Sequence, residues 1–174
     1  IIPIKKQKID KFYFVASSFK PNFILHTLGF SDTTEVTYYD YCFDSLYFKN
    51  LLLKNRDGED YTDFLRWAKQ NYNFRFQNEH KNHDELWKKE NAWWGSEKKI
   101  KDHWLEYKKL KHDYVQVDIC NDPSKVTNKI SAVNSFIWWS NVFYTVNAHY
   151  TTGLQGVKTC YTKWLFELYK QNPH

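Results

Sequence analysis

The chain has 174 residues, with 25 Lys and Arg against 20 Asp and Glu, a formal net charge of +5 and an aromatic share of 20%. That length suits one compact core and leaves no room for a second full domain. The net positive charge biases encounters toward anions without identifying one, the mixed signs weaken the case for nucleic acid, and no apolar stretch reaches membrane-spanning length.

In chain order, Lys11-Phe-Tyr-Phe-Val-Ala16 reads as a first strand opening into Ser17-Ser18-Phe19-Lys20. Pro21 starts a short helix through Leu28, with Gly29 at its end. Val36 to Tyr39 is the second strand, and a helix follows from about Asp44, with Leu46, Phe48, Leu51 and Leu52 on its apolar side and Asn55-Arg-Asp-Gly58 closing it. Tyr61 to Tyr72 is a further short helix. Asp84 to Leu110 sets charges around Trp87, Trp93, Trp94, Ile100, Trp104 and Tyr107 at helical spacing, interrupted at Gly95. Tyr114 to Ile119 is the third strand, Pro123 to Ala132 a helix, Ser135 to Ser140 the fourth strand, and Tyr161 to Tyr169 a terminal amphipathic helix.

Repeated alternation of strand and helix predicts a three-layer α/β sandwich with right-handed crossovers. Residues 61–112 form a helical insertion between the second and third strands of a single nucleoside-binding domain spanning residues 1–174. The start at Ile1 and the lack of any Met point to a processed or excised segment, and no secretory leader pattern is present. Cys42, Cys120 and Cys160 are odd in number and far apart, so they are expected to form neither a disulfide framework nor a compact metal motif. A reducing, cytoplasmic setting follows from that reading.

Two strand ends carry acids. Glu35-Val-Thr-Tyr-Tyr-Asp40 runs into a helix, and Tyr114-Val-Gln-Val-Asp118 closes a second apolar run. A carboxylate at such a point accepts hydrogen bonds from ribose hydroxyls in doubly wound sheets; a short carboxylate there equally caps the following turn or helix. With these acids and the alternating elements, residues 12–140 resemble the nucleoside-binding part of class I S-adenosylmethionine-dependent methyltransferases, which have a Rossmann-like fold.

The resemblance implies S-adenosylmethionine as cofactor, with Asp40 on the ribose, Asp118 toward the adenine amino group and Ile119 packing on the ring. Ser17 and Ser18 stand where the family has its glycine-rich loop, and no glycine is present there, so hydroxyl contacts replace close backbone approach. Trp138-Trp139-Ser140-Asn141 occupies the fourth strand end, where the family places groups between donor and acceptor. Trp139 would wall the cofactor, while Ser140 and Asn141 would orient an acceptor nucleophile. The acceptor is not readable, because the Asp/Asn-Pro-Pro-Tyr motif of amino-directed nucleic-acid methyltransferases is absent.

Rival readings rest on other residues. Basic and aromatic residues interleave from Lys88 to Lys111, a pattern that binds single-stranded nucleic acid when the charges are free and the rings exposed; an amphipathic helix explains the same letters. A noncatalytic protein-interaction domain is the other alternative. His80 and His83 have a metal-compatible spacing without a matching second pair, so no metal site is expected. His149 stands as a remote candidate base.

Overall fold

The computed structural model describes residues 9–16, 19–59, 61–74, 83–130, 134–139, 142–144 and 146–171. Strands β1 (Lys11–Val15), β2 (Glu35–Asp40), β3 (Lys111–Gln116) and β4 (Ser135–Trp138) form one sheet in the order β3-β2-β1-β4, with each neighbouring pair parallel. Between them run α1 (Lys20–Leu28), α2 (Phe43–Asn55), α3 (Tyr61–Asn71), α4 (His83–Trp94), α5 (Glu97–Tyr107), α6 (Ser124–Thr127) and α7 (Val146–Gln171). The architecture is the predicted α/β sandwich, and α3, α4 and α5 are the helical insertion between the second and third strands.

The inner strands are apolar on both faces because helices and their neighbours bury both. Phe12 to Val15 and Val36 to Tyr39 are all buried. On one face, Tyr13, Val15 and Tyr39 join Val126 and Ile130 near α6 and Val157, Cys160 and Trp164 of α7 in a single core. On the other, Phe12, Phe14 and Phe136 pack ring against ring, and Tyr38 stacks on Tyr114 at 6.0 Å. Register explains those pairs: Phe12 lies opposite Phe136, and Tyr38 opposite Tyr114.

Burial has a consequence for alkaline stability. It raises the Tyr13 phenol to about 12, with the negative charges of Glu35 and Asp113 adding to the effect, and it pushes Tyr39 and Tyr114 up as well. A phenol that keeps its proton longer when folded contributes stability fully present below the unfolded pKa of about 10. That stability is lost as pH rises through about 12. Urea unfolding at stepped pH should give a midpoint that falls above the ordinary tyrosine pKa; a level midpoint across that range would remove these phenols as its cause.

Three sequence expectations shift. The third strand, expected at residues 114–119, is Lys111–Gln116: Lys111 pairs with Glu35 at 2.8 Å, and Val117 and Ile119 enter the core from the following turn. The helix expected over residues 123–132 is the four residues of α6. The terminal helix is far longer than residues 161–169, running from Val146 to Gln171 with a break at Gly153, whose φ is +66°.

The cysteine reading is overturned. Cys120 and Cys160 form a disulfide that ties the turn after β3 to α7, and Cys42 is the free cysteine. The cause is the fold: Val157, Cys160 and Trp164 share the core-facing side of α7, against which Ile119 and Cys120 also pack. The expectation of a reducing setting therefore loses its ground.

The chain divides into two compact units, residues 1–46 with 111–174, and residues 47–110, the boundary falling within α2. In the second unit, Arg56 is 4% exposed and its guanidinium carbon lies 5.1–5.6 Å from the ring centres of Tyr61, Trp87 and Trp104. It donates to the Glu59 carbonyl from Nε at 2.9 Å, while Trp104 Nε1 donates to the Arg56 carbonyl at 2.7 Å. Rings and a carbonyl stand in for part of the water that this buried charge gives up. Gly58, at φ +79°, lets this loop touch α5. Gly95 separates α4 from α5, and Ser96 caps α5 by accepting from the Lys99 amide.

Candidate functional site

The order β3-β2-β1-β4 places β1 between β2 and β4, so the chain leaves β1 first toward one side and later returns to the other. Open parallel sheets offer a crevice outside the carboxyl ends of the strands at such a reversal. Here those ends are Val15 of β1 and Trp138 of β4, with Asp40 of β2 next in line. The Ala16 amide donates to the Tyr39 carbonyl at 3.2 Å, carrying the β1–β2 ladder to the rim.

Asp40 and Asp118 are brought to the same edge. The Asp40 carbonyl accepts from the Val117 amide at 2.9 Å, one residue before Asp118. Each carboxylate then closes the same small turn: Asp40 Oδ1 accepts from the Cys42 amide and Asp118 Oδ1 from the Cys120 amide, both at 2.9 Å. Asp118 Oδ2 also accepts from Asn121 Nδ2 at 2.8 Å. These are carboxylate turns that reverse the chain after a strand, the capping role weighed from sequence.

Sequence reasoning missed two rings at this rim. Tyr41 and Phe43 are 56% and 58% exposed, alternating with Asp40 and Cys42 across the end of β2 and the start of α2. The Tyr41 carbonyl accepts from Gln116 Nε2 at 3.4 Å, which joins the rim to the end of β3. The signal in the sequence was the alternation Asp-Tyr-Cys-Phe, which reads as strand interior unless α2 is known to start at Phe43. Exposed rings beside a carboxylate offer a stacking surface next to a hydrogen-bond acceptor.

The remaining predicted residues go elsewhere. Ile119 is buried among Val117, Val126 and Cys160. Trp139 packs edge-on against Trp164 at 6.2 Å and lines a groove between β4 and α7. Ser17, Ser18, Ser140 and Asn141 lie outside the described residues, as do His80 and the side chains of His83 and His149. Among the described residues no three His, Cys, Asp or Glu side chains are grouped to hold a metal ion, and no helix is long and apolar enough to cross a membrane.

The part of the Lys88–Lys111 pattern that belongs to the second unit resolves into an inward and an outward face. Trp87, Trp94, Trp104 and Tyr107 are buried, while Trp93 is exposed. Lys89, Lys98, Lys101, Lys108 and Lys109 pair with Glu85, Asp102, Glu59, Asp57 and Glu106. The buried rings of this segment therefore serve packing, and these five lysines sit beside acids. Comparison with known protein families, with characterised proteins and with solved structures returned no match.

Proposed function

We infer that the first unit binds an adenine nucleoside at the carboxyl edge of its sheet, that the ligand is S-adenosylmethionine, and that the activity is group transfer, most simply of a methyl group. The observation that carries this reading is Asp40 at the end of β2, one strand from the reversal between β1 and β4, with Tyr41 and Phe43 exposed beside it. Its chemistry fits the nucleoside half: a carboxylate of the kind that accepts from ribose hydroxyls in parallel sheets, and rings for a flat base.

The sulfonium group would supply an electrophilic carbon when bound. The chain's own task would be alignment of an acceptor nucleophile in line with that carbon, with water kept out. On sequence grounds that role falls to Ser140 and Asn141, with Ser17 and Ser18 toward the methionine end. The Cys120–Cys160 disulfide favours an oxidising compartment over a reducing, cytoplasmic one.

Calorimetric titration with S-adenosylmethionine and with its demethylated product tests the reading, and no saturation at millimolar ligand would end it. Asp40→Asn keeps the size and removes the charge of the acceptor, so affinity should fall about 10- to 150-fold, the equivalent of ~1.5–3 kcal/mol for a charge-assisted hydrogen bond. The turn amide of Cys42 keeps an oxygen acceptor in that variant, so the unfolding midpoint should move little. Unchanged affinity would free Asp40 of the ribose, and a large loss of stability alone would leave it as a turn residue.

A further inference from the structure

α7 buries one side along its length and exposes the other. Val157, Cys160 and Trp164, at steps of three and four residues, join the core. The opposite side carries Leu154, Leu165, Phe166 and Tyr169, which are 63%, 40%, 58% and 66% exposed. Lys158, Lys163 and Lys170 are exposed along the same stretch. Leu154, Lys158, Thr162, Leu165 and Tyr169 again follow one another at steps of three and four, so apolar groups and charge share one continuous surface rather than standing singly.

The charge on this surface has one sign. Glu167 is the sole acid in the α7 sequence; its side chain is 18% exposed and pairs with Lys170 at 2.8 Å. The Lys170 ammonium also lies over the Phe166 ring, 4.6 Å from its centre, which sets a positive group directly on an exposed apolar one. Lys163 donates to a neutral acceptor, the Asn121 carbonyl. Asp122, whose field reaches Lys163, accepts from Ser124 and faces Lys125 at 3.8 Å. Three lysines against one largely buried acid leave α7 positive where its large apolar side chains meet solvent.

We propose that the outer face of α7 docks on an anionic phospholipid bilayer, lying on the membrane without crossing it. Leucine and aromatic side chains enter the boundary between headgroups and acyl chains, while lysines reach back to the lipid phosphates along their own methylene stems. The lysines select a negatively charged leaflet over a neutral one. Leu154 and Leu165 have no π-face for a base, which favours lipid over a single strand of nucleic acid. The helix is also formed before it docks, since its inner side is packed in the core and tied by the Cys120–Cys160 disulfide, so binding carries little ordering cost.

Co-sedimentation of the full chain with phosphatidylcholine vesicles, made with and without phosphatidylserine, tests the proposal. The chain should pellet with the phosphatidylserine vesicles alone, and added salt should release it. Lys158→Glu should weaken vesicle binding about 5- to 30-fold, at about 1 kcal/mol per unit of charge near the surface and a change of two units. Lys98→Glu on α5 makes the same change in net charge and should cost less than about twofold. Phe166→Ser with Tyr169→Ser should lower binding to the same vesicles, and if that pair unfolds, Lys158→Glu carries the test. No pelleting with phosphatidylserine, equal pelleting with phosphatidylcholine, folded α7 variants that bind like wild type, or an equal loss in Lys98→Glu overturns the proposal. So does retention on heparin that matches vesicle binding and survives removal of the two rings, which would make α7 a general polyanion surface.

Discussion

Replacing Cys120 and Cys160 together by alanine is expected to lower the unfolding free energy by about 4 kcal/mol, the loop-closure value for a link across 40 residues. The link has more to hold than chain entropy alone. Cys120 sits in the turn whose first residue, Asp118, accepts its amide, and Lys163 of α7 donates to the Asn121 carbonyl at 2.8 Å beside it. Opening the disulfide therefore leaves the turn held to α7 by the Lys163 contact and by the apolar core beneath. Urea unfolding of the oxidised chain and the double variant checks the value, and equal midpoints would mean that the link constrains nothing. Thiol titration of the denatured chain without reductant should count one thiol, Cys42.

Gly58→Ala is the second large change, expected to cost the second unit about 2–4 kcal/mol. A Cβ at this position would lie 2.7 Å from Lys101 Cα and 2.9 Å from Trp104 Cβ. Neither atom is the end of a flexible side chain, so α5 or the loop must shift. The backbone adds its own cost, since a φ of +79° is left-handed and costs an L-residue about 1–2 kcal/mol. The displaced loop is also the one that holds Arg56 between Tyr61, Trp87 and Trp104, so loosening it admits water to a buried charge. Tryptophan emission should shift to the red as the midpoint falls. A midpoint within about 0.5 kcal/mol of wild type, the range of a neutral surface change, would show that the loop yields without cost.

The strands that were easiest to read, β1 and β2, are those whose apolar runs are buried on both faces. β3 was displaced by three residues because an edge strand needs no such run: Lys111, His112 and Asp113 look like a loop until Glu35, Val36 and Thr37 are set beside them. Val117 and Ile119 supplied the misleading apolar letters, because a turn can bury side chains as completely as a strand. The disulfide was illegible for a related reason, as its partners are 40 residues apart and are brought together only by α7 lying on the sheet. At the candidate site both acids were legible, and so was the turn-capping alternative that Asp40 and Asp118 fulfil. Tyr41 and Phe43 were not, since their exposure depends on where α2 begins.

The position of β1 also dictates when the sheet can be completed. Lys11 pairs with Glu35, 24 positions later, and with Ser135, 124 positions later. Closing the longer loop costs about 1.5 kcal/mol more in chain entropy, and contacts of such sequence separation form late. During synthesis from the N-terminus, β1 and β2 can associate while the rest is unmade. The flank of β1 opposite β2 then stays open until β4 is released, with the rings of Phe12 and Phe14, fully buried in the finished fold, among the surfaces awaiting Phe136. A product terminated before residue 135 turns a strand with four consecutive buried residues into a bare edge, which makes truncated chains, rather than the intact one, the species most prone to aggregate.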